Sequence, residues 1–123
     1  MILVDTSVWI AHLRAGETRL AAALEAARVM MHPFVLGELA CGNLKNRAEV
    51  LDLLAKLPEA PVADHPEALA FIGRHGLMGK GIGFIDVHLL ASAALAGTAK
   101  LWTLDRRLAA VAEAMKLAHP KEK

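Results

Sequence analysis

Four acidic residues stand apart from the other charges of this 123-residue chain, and carboxylates are a side-chain type that binds hard cations and moves protons in hydrolysis. Asp5 is the only charged residue between Met1 and Leu13, Glu38 the only one between Val29 and Leu44, and Asp86 the only one from Gly81 to Ala99. Each sits in apolar surroundings, where an ionised carboxylate is costly unless it is paired, hydrogen-bonded or bound to a cation. Asp105 differs, because Arg106 and Arg107 follow it and can solvate it. Its case rests on position: it follows the apolar run Lys100 to Leu104 as Asp5 follows Ile2 to Val4. Glu17, Glu25, Glu49, Asp52, Glu113 and Glu122 lie within four residues of a Lys or Arg and read as solvated helix faces, Asp52 being placed to pair with Lys56.

The ordinary alternative for Asp5, Asp86 and Asp105 is helix capping, since each precedes or opens a helical pattern and Asp is a preferred cap. Glu38 falls in the second turn of an apolar helix, where a buried pair with an arginine is the alternative. A single convergent site explains the four residues more simply than four separate accidents. Packed together, such acids raise their pKa values or recruit a cation. An all-oxygen set with no Cys pair favours Mg²⁺ or Mn²⁺ over zinc. Such ions activate a water and stabilise in-line displacement at phosphorus, which points to phosphodiester or phosphate chemistry.

Short apolar runs followed by helical patterns must position these acids, an alternation that predicts an α/β domain with a mostly parallel sheet. Ile2 to Val4 predicts a strand with a helix after Asp5-Thr6-Ser7, and Glu17 to Ala27 a helix before a second strand at Val29 to Met31. Phe34 to Cys41 and Asn46 to Leu57 predict helices, the latter with Val50, Leu53, Leu54 and Leu57 on one face. Pro61 to Ala63 is a weak strand candidate, and Pro66 opens a helix carrying Ala70, Phe71 and Ile72. His75 to Gly83, with four glycines, is a loop into a helix from Ile85 to Ala96 stopped by Gly97. Lys100 to Leu104 predicts a strand, Arg106 to Lys116 a helix, and Leu117-Ala118 an edge strand before a charged tail. In a parallel sheet the carboxyl ends of the strands share one face, where ligands bind, and that face receives Asp5 and Asp105.

Composition narrows the class. The chain is 55% hydrophobic and 22% charged, with 14 Lys+Arg against 13 Asp+Glu for a net charge of +1. That size and balance fit one domain spanning residues 1–123 with its own core. One cysteine, Cys41, excludes an internal disulfide framework. Gly81 to Ala99 is interrupted by Asp86 and His88, poor material for a membrane span, and no secretory pattern opens the chain, so a cytoplasmic protein is expected.

The motifs Ile2-Leu3-Val4-Asp5-Thr6-Ser7-Val8-Trp9-Ile10, Gly37-Glu38-Leu39, Gly81-Ile82-Gly83-Phe84-Ile85-Asp86-Val87-His88-Leu89-Leu90-Ala91 and Leu101-Trp102-Thr103-Leu104-Asp105-Arg106-Arg107-Leu108 span nearly the whole chain. In this order and spacing they resemble the PIN-domain ribonucleases of the VapC type, the toxin halves of prokaryotic toxin-antitoxin pairs. The resemblance implies a three-layer α/β/α sandwich with a central, mostly parallel sheet of four to five strands. It also implies endonucleolytic cleavage of RNA, typically tRNA or rRNA, by a metal-activated water. Carried over by motif, Asp5, Glu38, Asp86 and Asp105 would hold one or two Mg²⁺ or Mn²⁺ ions, Asp5 and Asp86 foremost. The family further implies a homodimer and a cognate antitoxin that fills the acidic groove.

Thr6, Ser7 and Thr103 offer hydroxyls beside the acids, for orienting carboxylates or for capping. Lys80, Arg106 and Arg107 are the basic residues nearest the motifs and candidates for the RNA backbone, with an ordinary surface role the alternative. Trp9 and Trp102 lie in apolar runs and are read as core rather than as base-stacking residues, and His88 as structural. The six histidines show no mutual spacing of a metal site. A haloacid-dehalogenase-like phosphatase would need an acid where Ser7 stands, and a response-regulator receiver a phospho-accepting Asp after a stronger third strand than Pro61 to Asp64. The remaining competitor is a PIN-like module that binds RNA or a protein without cleaving.

Overall fold

Ile2, Leu3 and Val4 are all buried, the pattern of a central parallel strand covered on both faces. In the computed structural model, which describes residues 1–120, this strand β1 (Ile2–Val4) lies between β2 (Val29–Met30) and β3 (Lys100–Trp102). The order is β2-β1-β3 and every pairing is parallel. Ile2 stands opposite Val29 and Lys100, Leu3 opposite Met30 and Leu101, and Val4 opposite Trp102. The expected charged tail, including Glu122, reaches beyond the described residues.

The sheet therefore has three strands rather than the expected four to five, with one parallel bridge beyond each edge, Met31 to Glu59 and Leu101 to Ala118. On the β2 side, among the described residues, the bridge is made by Met31 N to Pro58 O (2.8 Å) and Ala60 N to Met31 O (2.9 Å), upstream of the expected strand Pro61 to Ala63. Pro61 has no N–H to continue that ladder. On the other side Leu101 N donates to Leu117 O and His119 N to Leu101 O, and Pro120 follows.

Seven helices complete the described residues: α1 (Thr6–Ala15), α2 (Thr18–Glu25), α3 (Pro33–Cys41), α4 (Arg47–Ala55), α5 (His65–His75), α6 (Phe84–Ala96) and α7 (Arg106–Ala114). They clothe the sheet as an α/β sandwich. Helix α6 is buried without a break from Val87 to Ala93, so a helix that is apolar all round occupies the core. Trp9, Leu3, Leu20, Leu89, Leu90 and Leu101 are among the largest fully buried side chains, and Trp102 is buried too, which places both tryptophans in the core. Helix α4 is shorter than expected and buries only Leu54, while Leu53 is exposed. It begins after Asn46 in a left-handed conformation (φ 51°). Among the described residues no helix is long and apolar enough to cross a membrane.

Candidate active site

Asp5 continues the β1–β3 ladder by one bond, its N–H donating to Trp102 O at 2.9 Å, so its side chain leaves the sheet at the carboxyl end of the central strand. It stands at the N-cap position of α1 but its carboxylate does not cap the helix. Instead the hydroxyls of Ser7 (2.7 Å) and Thr103 (2.8 Å) both donate to Oδ2. Those hydroxyls are themselves held by backbone, since Leu104 N–H donates to Ser7 Oγ and Asp105 N–H to Thr103 Oγ1, each at 3.0 Å. Because each oxygen accepts from an amide, its own proton is directed onto Asp5. Asp5 is thereby buried at 7% exposure without an ion pair among the described residues, and its Oδ1 accepts no hydrogen bond there.

Glu38 projects from the second turn of α3 and is exposed, with Oε1 accepting from Thr6 Oγ1 at 2.6 Å. That bond joins α3 to the first turn of α1 beside Asp5. Asp86 lies in the first turn of α6 and its Oδ2 accepts the Gly83 N–H at 2.9 Å. Asp105 is exposed and caps α7 through Oδ1, which accepts Leu108 N–H at 2.9 Å. Capping thus holds for Asp105, holds for Asp86 as a closure of the first turn, and fails for Asp5. In Asp86 and Asp105 it engages one oxygen and leaves the other without a hydrogen bond among the described residues.

The electrostatics of Asp86 reveal that the four acids share one field. Burial raises its pKa most, the Gly83 N–H opposes that, and the charges of Asp5, Asp105 and Glu38 each raise it further. Among the described residues no three His, Cys, Asp or Glu side chains already stand close enough to grip one ion. The donor chemistry fits a hard divalent cation all the same. It is all oxygen, each of Asp5, Asp86 and Asp105 retains an uncommitted carboxylate oxygen, and the repulsion felt by Asp86 is what a cation relieves.

The basic candidates are placed differently. Lys80 and Arg106 are exposed and make no ion pair with the four acids among the described residues. The Arg107 side chain packs over Gly81, where a Cβ would meet Arg107 Cδ at 2.7 Å. Gly81 has φ +79°, so conformation favours glycine there, and a Cβ would also displace the Arg107 side chain. The Gly-rich loop leading to Asp86 thus lies against the helix that follows Asp105.

Sequence spacing missed a pair of histidines. His32 is fully buried, its Nδ1 accepting the Phe34 N–H at 3.0 Å, and its ring centroid lies 6.3 Å from that of His88. His32 Nε2 and His88 Nδ1 are buried without a partner among the described residues. Burial first, and the neighbouring His88 second, lower the His32 pKa to about 4, so its ring is neutral. Burial lowers His88 as well, followed by His65. His32 and His88 are 56 positions apart, and the only local sign is the apolar context of each. The structural role expected for His88 agrees with its burial.

The PIN domain family matches this chain over residues 2–114. The chain belongs to the PIN-domain family. Two curated relatives, each called Ribonuclease VapC32, from Mycobacterium tuberculosis strains CDC 1551 / Oshkosh and ATCC 25618 / H37Rv, are 54% identical to it over 110 residues, covering 89% of this chain and 89% of each relative. Within the family it is therefore a VapC-type member.

Proposed function

We propose that this chain is an endoribonuclease, the toxin of a toxin-antitoxin pair, that cleaves RNA with one or two Mg²⁺ or Mn²⁺ ions at Asp5, Glu38, Asp86 and Asp105. The observation that supports the site is placement: Asp5, Asp86 and Asp105 stand at or in the first turns of α1, α6 and α7, Glu38 is tied to α1 through Thr6, and the upward shift of Asp86 agrees with their sharing one region. The name ribonuclease borne by both relatives supports the reaction. Asp5 and Asp86 are the principal ligands, with Glu38 and Asp105 completing the set directly or through water. A bound divalent cation supplies positive charge at the scissile phosphate and activation of a water for in-line attack, giving a 5′-phosphate and a 3′-hydroxyl.

The chain's own part is positioning. Ser7 and Thr103 fix Oδ2 of Asp5 and so turn Oδ1 toward the ligand space, and Thr6 does the same for one oxygen of Glu38. The caps of Asp86 and Asp105 fix their second oxygens by the starts of α6 and α7. Repulsion from the acids keeps the scissile phosphate away until a cation is present, which couples seating of that one phosphate, rather than RNA binding as a whole, to metal loading. The substrate is tRNA or rRNA, the location the cytoplasm, the working form a homodimer, and the regulator an antitoxin whose cationic side chain occupies the acidic groove.

Purified protein with Mn²⁺ cuts structured RNA, chelation stops it, and Asp5→Asn abolishes cutting while the circular dichroism spectrum stays that of the wild type. Full activity of Asp5→Asn would overturn the site. RNA binding without cleavage at any metal concentration would turn the assignment to a non-cleaving module.

A further inference from the structure

A cleft of about 570 Å³ opens beside Glu38, between α1 and the segment joining α3 to α4. One end belongs to the acid site, because Glu38 both lines the cleft and accepts the Thr6 hydroxyl at 2.6 Å. Its floor includes Ile10 and Leu13 of α1, which are 37% and 38% exposed. Its other lining side chains include Arg14, Lys45, Asn43 and Asn46, all exposed, and none makes a side-chain hydrogen bond or ion pair among the described residues. Each alone would be an ordinary solvated residue. Together they form one concavity with two cations and two amides around an apolar floor, reaching the acid site at Glu38.

We propose that this cleft is the subsite that holds single-stranded RNA beside the scissile phosphate, a proposal that rests on the endoribonuclease assignment above. Arg14 and Lys45 take backbone phosphates, Asn43 and Asn46 take base edges, and the aliphatic floor takes the base faces. Three features favour RNA. Arg14 and Lys45 are exposed cations lining the cleft, the charge a polyanionic backbone requires. Amides carry both donors and acceptors, as the edges of unpaired bases require. Distance agrees as well: Thr6 and Arg14 lie on one helix, about 12 Å apart at roughly 1.5 Å per residue, which leaves room for a short run of nucleotides between acids and cations. An apolar peptide in the same place would strip water from the amides and cations without replacing those hydrogen bonds.

The division of charge also fits the chemistry. Near the acids the phosphate needs a metal, whereas at Arg14 and Lys45 it is neutralised by the protein itself. The cleft therefore binds RNA without metal, and only cleavage requires loading of the acids.

Fluorescence anisotropy of a short labelled single-stranded RNA, measured in EDTA over a salt series, tests this on the intact chain. Arg14→Ala/Lys45→Ala makes the negative slope of log K against log salt shallower by about 1.4, at about 0.7 per single-strand phosphate contact. In Mn²⁺ the same variant raises KM about tenfold with kcat held, as expected for two exposed charge contacts. Arg14→Lys/Lys45→Arg keeps the wild-type slope, and Asn43→Ala changes the cleavage sequence but not the slope. An unchanged slope and KM in Arg14→Ala/Lys45→Ala, with a wild-type melting curve, overturns the proposal. Intact RNA binding together with lost binding of an inhibitory protein overturns it in favour of a protein-docking surface. A wild type that never cleaves, but whose metal-free binding shows the expected slope change, refutes the endoribonuclease assignment and leaves the cleft as an RNA site.

Discussion

Replacing Asp86 by Asn separates the cost of gathering acids from their use. Asp86 is held above the usual carboxylate range by burial first, and by Asp5, Asp105 and Glu38 after the opposing Gly83 N–H. A folded-state pKa above the unfolded one contributes stability at low pH that is lost as the pH rises through the folded value. At neutral pH, without metal, the ionised Asp86 is therefore a net cost to the fold. Asn removes that charge and keeps an oxygen to accept the Gly83 N–H. A cation relieves the same cost by binding. At about a hundredfold excess over Kd, binding to the folded state alone adds about 2.7 kcal/mol. An unfolding entropy of about 2.1 cal/mol/K per residue gives this 123-residue chain about 0.26 kcal/mol/K, so melting rises by about 10 °C. The assay is thermal melting at neutral pH with EDTA and with a Mn²⁺ series. Metal-free Asp86→Asn melts at or above the wild type and loses most of the Mn²⁺ increment. Asp52→Asn, which removes only an exposed pair with Lys56 (3.3 Å), keeps the full increment. Asp86→Asn melting well below the wild type in EDTA, or gaining the same increment with Mn²⁺, would refute the reasoning.

His32, lowered to about 4 from 6.5, stays neutral in the fold, so its stability contribution is complete above about pH 6.5 and is lost as the pH falls toward 4. The loss reaches about 3 kcal/mol, and urea unfolding at a series of pH values should show a shallower acid slope in His32→Asn; an unchanged slope would contradict it. Ser7→Ala and Thr103→Val each remove a donor to Asp5 Oδ2, a hydrogen bond to a charged group worth roughly 1.5–3 kcal/mol. Both variants should weaken Mn²⁺ binding in calorimetry, and Thr103→Ser should restore it; Mn²⁺ affinity unmoved in both would exclude an orienting role. Gly81→Ala should destabilise by about 1 kcal/mol or more, from its φ of +79° and the clash with Arg107. Adding Arg107→Ala should recover part of that loss in a double-mutant cycle, and strict additivity would show that the two residues do not meet.

Local pattern revealed what local physics controls. Ile2 to Val4 read as a strand because three apolar residues before a cluster of capping residues leave few alternatives, and that strand is the centre of the sheet. Asp64 and Glu67 form a capping box at α5, and Asp105 caps α7 as an Asp before a helix commonly does. Tertiary contacts decided the rest. Whether Asp5 caps α1 depends on Thr103, 98 positions away, whose hydroxyl draws the carboxylate elsewhere. Leu53 falls on the apolar stripe expected of α4, yet is exposed, and only Leu54 of that helix is buried. The sheet edges shrank to single bridges, since a weak apolar run becomes a strand only where a partner ladder is long enough to hold it.

Isolation among apolar residues pointed to Asp5, Glu38 and Asp86, and position after a strand to Asp105, but only Asp5 is buried; Asp86 is half-buried, and Glu38 and Asp105 are exposed. What unites them is therefore their relation to helix starts rather than burial. Asp5, Asp86 and Asp105 stand at or in the first turns of α1, α6 and α7, and Glu38 is tied to the first turn of α1 through Thr6. Helix N-termini carry partial positive charge and free N–H groups, so the same geometry that gathers carboxylates also tempers their repulsion. That compensation is incomplete, as the raised Asp86 shows. On the proposed metal site, this balance would let the fold form before metal arrives while leaving negative charge for a divalent cation to relieve. A set of acids fully satisfied by caps would have no affinity left for metal, and one without caps would resist folding. One engaged and one open oxygen on Asp5, Asp86 and Asp105 is the arrangement that avoids both.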